Sequence, residues 1–183
     1  MPSAVITPEL ISDPDRRAER EALNGLRQYD AVLEMVEYFQ HPERPFRFRP
    51  SQPTHLHRIA LEGISSYAGN FRPAGIEIGG SRHEPAGAHQ VPELVEDLCE
   101  CTNANWASRT AIHLAAYVLW RLNWIHPFTA GNGRTSRVAS YLVRQGQLDL
   151  TKTEEMISMM LARLLYAVHT DATGMASVEP ESN

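Results

Sequence analysis

Apolar residues recur at helical spacing through most of this chain. Leu23, Leu26, Tyr29, Leu33, Val36 and Phe39 fall three or four residues apart, which predicts an amphipathic helix over about 14–39 with that set inward. Asp13 or Asp15, beside Pro14, supplies the N-cap. The run HPERPFRFRPSQPT (41–54) then breaks the pattern with prolines and arginines and reads as an extended linker. A second helix is predicted over 54–67, with Leu56, Ile59, Ala60, Gly63 and Ile64 inward. Further helices are expected at about 90–102, 108–124, 133–145 and 153–168. On the 108–124 segment Ile112, Ala115, Ala116, Leu119 and Leu122 form an apolar stripe, which marks it as the central core helix.

The period changes between Gly69 and Gly87. Ile76 and Ile78 alternate with Gly75 and Glu77, and Gly79-Gly80 follows at once, a short β-hairpin signal. The fold class is therefore mainly α, with one small hairpin. A tail (1–13) precedes a helix and linker (14–52), then a core (53–170) and a C-terminal tail (171–183). No internal repeat or low-complexity run is visible.

Composition narrows the function classes. A chain of 183 residues with 43% hydrophobic content suits one domain with a real core. A net charge of −5 argues against a nucleic-acid binder or a binder of anionic membranes. Cys99 and Cys101 are too close for an ordinary disulfide and lack companions at metal-ligand spacing, so two independent thiols are expected. The first twenty residues lack a basic start followed by an apolar stretch, and the longest apolar run is far below spanning length. A cytoplasmic protein is the expectation.

The densest chemistry lies in His126-Pro-Phe-Thr-Ala-Gly-Asn-Gly-Arg134, followed by Thr-Ser-Arg137. Gly131 and Gly133 permit backbone conformations closed to other residues and let an anion approach the main chain. A helix beginning near Gly133 would aim unpaired N–H groups and the positive end of its dipole into that loop. Arg134 and Arg137 would share one face of its first turn. Cations oppose the dipole there, so two of them make sense if an anion usually sits between them. A bare G-N-G is more often a simple turn; His126 and the phased arginines favour a polyphosphate site.

This stretch resembles the signature of the Fic family, named for filamentation induced by cyclic AMP: H-x-F-x-[D/E]-G-N-G-R-x-x-R. The match falls at His126, Phe128, Gly131, Asn132, Gly133, Arg134 and Arg137. Residues 68–94 resemble the segment bearing the family's target-binding hairpin, the flap, and 115–128 the helix that delivers the motif. The resemblance, covering roughly 50–165, implies a Fic-type helical bundle and AMP transfer from ATP to a Tyr, Thr or Ser hydroxyl of a target protein. His126 and Asn132 would be catalytic. Gly131, Asn132, Gly133, Arg134 and Arg137 would bind the nucleotide, and Ile76, Glu77 and Ile78 would dock the target. An imidazole is largely neutral yet basic near pH 7, which suits His126 to take the hydroxyl proton. An antitoxin chain or self-association is the further partner expected.

One position departs from the pattern. Ala130 stands where the family carries an acid that helps bind magnesium, and a methyl group cannot coordinate a cation. Mg²⁺ is thus expected beside the ATP phosphates without its usual acidic ligand, and no residue is assigned to metal. Two alternatives stay open: a non-catalytic nucleotide-binding regulatory module, and a Fic protein using another phosphate-containing donor. Many family members also carry an inhibitory helix, [S/T]-x-x-x-E-[G/N], whose Glu pairs with the arginine matching Arg137. Glu21 in REALNG has Arg17 where Ser or Thr belongs, and Pro180 disfavours a helix at SVEPES (177–182). Neither matches well.

Overall fold

A computed structural model describes residues 9–148. Five α-helices occur among them: α1 (Pro14–Gln40), α2 (Ser51–Leu61), α3 (Val91–Ala104), α4 (Ala111–Ile125) and α5 (Asn132–Gln147). The helix predicted at 153–168 and the candidate Glu181 lie outside the described residues. Helix ends follow local chemistry. Asp13 caps α1 by accepting from Arg16 N at 2.8 Å, with Pro14 in the first turn. Thr110 caps α4 by accepting from His113 N at 3.3 Å.

The second helix starts and stops earlier than the spacing predicts. It begins at Ser51 because Pro53 falls in the first turn, where a missing N–H costs no intrahelical bond. It ends before Gly63, which turns the chain at φ +72°.

α4 is the centre of the fold and packs on both α3 and α5, while α1 packs on α2 and α5. The main core joins Phe48 to Val95 and Leu98 of α3, Val118, Leu122 and Ile125 of α4, and Val143 of α5. The inward stripe of α4 is Leu114, Ala115, Val118, Leu122 and Ile125. Ala115 and Leu122 are as predicted, but Ile112 is 75% exposed, because α3 and α5 contact a face rotated from the predicted one.

A larger correction concerns α1. Leu23, Leu26, Tyr29 and Leu33 are exposed, and the buried residues are Asn24, Gln28, Val32 and Val36. The reason is hydrogen bonding. Asn24 Nδ2 donates to the carbonyls of Ala60 (3.3 Å) and Glu62 (2.8 Å), and Gln28 Nε2 donates to Leu56 O at 3.0 Å. Two amides one turn apart thereby satisfy carbonyls along the last turns of α2.

The predicted hairpin is not formed. Residues 73–87 run as an extended loop with a turn at Gly79-Gly80, where Ser81 N donates to Ile78 O at 3.1 Å. No ladder flanks that turn among the described residues; their one β-bridge joins Glu9 to Ser65. Gly75, Gly79 and Gly80 give the segment little side chain to pack. Cys99 is buried and Cys101 exposed, two separate thiols as expected.

Candidate active site

α4 ends at His126, whose backbone is left-handed (φ 51°, ψ 59°) and whose N–H still donates to Leu122 O at 3.0 Å. Pro127 cannot continue a helix, so the chain leaves sharply at this residue. The imidazole is half-buried. Its Nδ1 faces Asn123 O at 3.4 Å; the tautomer that donates there leaves the Nε2 lone pair for a proton. Burial above all, and then the charge of Arg72, holds the ring below its ordinary pKa, so it is neutral at pH 7.

Phe128 anchors the loop that follows. It is 1% exposed and stacks on His57 with centroids 3.8 Å apart and planes 6° from parallel. Asn132 closes the loop: Phe128 N donates to its Oδ1 at 2.9 Å, and its Nδ2 donates to Phe128 O at 2.7 Å. One amide hydrogen of Asn132 stays outside this reciprocal pair. Gly131 sits at φ +74°, and a Cβ there would lie 2.6 Å from Leu61 Cδ2. Gly133 differs from the sequence expectation: its φ is not positive, and it lies inside α5. A Cβ there would meet only Arg137 Nη1, at 3.4 Å. Its bareness therefore keeps space open instead of permitting a turn.

α5 opens directly out of this loop. Its first bond runs from Thr135 N to Gly131 O at 3.0 Å, so the amides of Asn132, Gly133 and Arg134 have no intrahelical acceptor. Arg137 is exposed, with its guanidinium over Gly133, and no described carboxylate pairs with it. Arg134 pairs with Glu21 at 3.5 Å. Glu21 thus reaches the motif from α1, but at Arg134 instead of Arg137. The buried hydroxyl of Thr135 has no partner among the described residues.

Ala130 bears on metal binding. Its methyl packs against the cluster of Ala60, Leu61 and Ile64. No group of three or more His, Cys, Asp or Glu able to hold a metal ion occurs among the described residues. The side chains present do not fit a protein-held magnesium at position 130.

Four positions here escaped sequence reasoning. Buried His57 accepts from Gly69 N at Nδ1 (2.9 Å) and donates from Nε2 to Ala130 O (3.0 Å), which ties α2 to the loop. Burial pushes its pKa down to about 4, so it is neutral. Asn123 Nδ2 donates to Ser136 Oγ at 2.8 Å, joining α4 to the first turn of α5. His83 Nε2 donates to Trp124 O at 2.7 Å and brings the 73–87 loop to the end of α4. Arg72 is 2% exposed and donates to backbone on both sides of the site. Ile76, Glu77 and Ile78 line, on that loop, a groove of about 940 Å³ that reaches Thr129 of the motif.

A model of the Fic/DOC family matches residues 47–143. A protein adenylyltransferase Fic from Drosophila persimilis is 35% identical over 95 residues, which is 50% of this chain and 18% of that protein. One from Drosophila willistoni is 34% identical over the same length. The chain thus spans about a fifth of the curated relatives it matches. Fic-1 (residues 134–508) from C. elegans superposes with a TM-score of 0.59 at 24% identity, covering 74% of this chain and 39% of that one. BepC from Bartonella tribocorum, solved with bound AMPPNP, gives 0.53 at 21%, covering 75% and 70%. These likenesses establish the mainly helical Fic fold. No described helix is long and apolar enough to cross a membrane.

Proposed function

The chain belongs to the Fic/DOC family, and we propose that it is a protein adenylyltransferase, moving AMP from ATP to a Tyr, Thr or Ser hydroxyl of a target protein. The observation that carries this is one continuous turn. It places a neutral, half-buried His126 at the end of α4 and, six residues later, the open amides of α5 with Arg134 and Arg137.

In this reading the nucleotide phosphates lie against residues 131–133. The α5 amides and the remaining Asn132 hydrogen stabilise the charge that grows on the α-phosphate. Arg134 and Arg137 hold the outer phosphates, where a planar fork suits paired oxygens. His126 Nε2 takes the proton as the target hydroxyl oxygen bonds to the α-phosphorus. The bond from that phosphorus to the α–β bridging oxygen breaks, and pyrophosphate leaves. Magnesium, if it accompanies the phosphates, receives no carboxylate from position 130, so no step runs through it. Ile76, Glu77 and Ile78 offer extended backbone to a target segment, with the Ile78 carbonyl already taken by Ser81 N. An antitoxin chain or a second copy is the partner proposed for restraint.

The apolar seat of Ala130 favours a second reading, a Fic-fold module that binds nucleotide without transferring it. A donor other than ATP is a further variant of the same site. Transfer of label from α-phosphate-labelled ATP to lysate proteins and to the chain itself separates these. Label that disappears with His126→Ala establishes the transferase. ATP binding with no label, in both the unaltered chain and Ala130→Asp, establishes the module.

A further inference from the structure

We propose that Arg72 is the positioning residue of this site, holding the end of α4 at His126 and the neck of the 73–86 loop in one set of bonds. Its Nε donates to His126 O at 2.8 Å, and Nη2 reaches Ile125 O at 3.5 Å. Nη1 donates to Ala74 O at 3.0 Å, and Nη2 donates also to Ala86 O. The backbone adds a fifth tie, from Arg72 N to Pro127 O at 2.9 Å.

Four backbone carbonyls from two separate chain segments thus converge on a single planar side chain. Two of them, Ile125 and His126, are terminal carbonyls of α4, where unpaired acceptors and the negative end of the dipole favour a cation. The other two stand at the two ends of the loop. No described carboxylate forms an ion pair with Arg72, so what holds this buried charge is oriented backbone. A guanidinium stays protonated under these conditions, and its rigid fork sets the relative places of all four carbonyls. A lysine would keep the charge and lose the fork.

The consequence is coupling. A target segment that seats on the 73–86 loop pulls on the same group that fixes the left-handed turn at His126. Arg72 itself lies outside the 131–137 stretch, so nucleotide affinity should not depend on it. The catalytic half of this inference rests on the adenylyltransferase reading; the clasp does not.

The test compares the full chain with Arg72→Lys and Arg72→Gln, each confirmed to keep its helical circular dichroism. A Glu-specific protease reports loop opening at exposed Glu77, whereas Glu84 is protected by the following Pro85, and position 72 is untouched. Both variants are expected to be cut at least ~10-fold faster there, about 1.4 kcal/mol of lost local protection. In the labelled-ATP assay kcat should fall about 10²-fold, the cost of misplacing a reacting group by roughly an ångström, while KM for ATP changes less than about threefold. Unchanged cleavage in a folded variant overturns the clasp, and unchanged kcat overturns the positioning role. If the unaltered chain transfers nothing, the adenylyltransferase reading falls and the cleavage rates alone decide on the clasp.

Discussion

Asn132→Ala is expected to loosen the motif loop before it touches any ligand contact. The side chain is 5% exposed and forms two bonds with the backbone of Phe128, which is 1% exposed. Its removal leaves a buried N–H and a buried C=O without their partners. Each of these two unmet groups costs about 1–3 kcal/mol, so a total of about 2–6 kcal/mol is expected. For a chain of this length that lowers Tm by roughly 4–24 °C. Asn132→Asp is the informative companion. It keeps the acceptor for Phe128 N and adds a charge that the α5 dipole favours, so its stability loss should be smaller than alanine's. Its carboxylate should nonetheless repel the nucleotide phosphates and abolish ATP binding. Thermal melts with and without ATP read both effects. An Asn132→Ala variant that melts within 2 °C of the unaltered chain (roughly 1 kcal/mol or less) and still loses ATP affinity would refute this reasoning and make the amide a ligand contact alone.

Four further outcomes rest on the same geometry. His57 titrates in the unfolded chain near 6.5 but at about 4 when folded, so the unfolded state binds more protons between those values. The stability its neutral burial contributes is complete above about pH 6.5 and declines by about 1.4 kcal/mol per pH unit as pH falls towards 4. Urea denaturation should show the gap between the unaltered chain and His57→Phe narrowing from pH 7 to pH 5, whereas a constant gap would contradict the assignment. Gly131→Ala should destabilise by at least about 1–2 kcal/mol, because φ is +74° and the new Cβ strikes Leu61. Gly133→Ala should fold as well as the unaltered chain and lose ATP affinity in calorimetry; unaltered affinity would show that the space above Gly133 is not used. Glu21→Gln frees Arg134 from a partner that is one-third exposed, so ATP affinity should rise by no more than about fivefold. A fall in affinity would mean that Glu21 orients Arg134 instead of competing for it.

The local features of this protein could be read along the chain because they are written in neighbouring residues. Asp13 with Pro14 starts α1, and the His126-to-Arg137 motif sets the turn, the glycines and the arginine phasing within twelve residues. The mainly helical fold and family membership follow from the same short-range signals. Tertiary structure decided what depends on distant partners. Spacing put the leucines of α1 inward, yet Asn24 and Gln28 face α2 because its carbonyls, more than thirty residues away for Asn24, require donors. The alternation at Ile76 and Ile78 suggested a hairpin, but a period of two cannot supply a partner strand, and the segment stays a loop. Glu21 found Arg134, His57 found Ala130, and Arg72 found the end of α4 across 54 residues. A buried polar group must be satisfied by whatever the fold brings near it, and no sequence period records which group that will be.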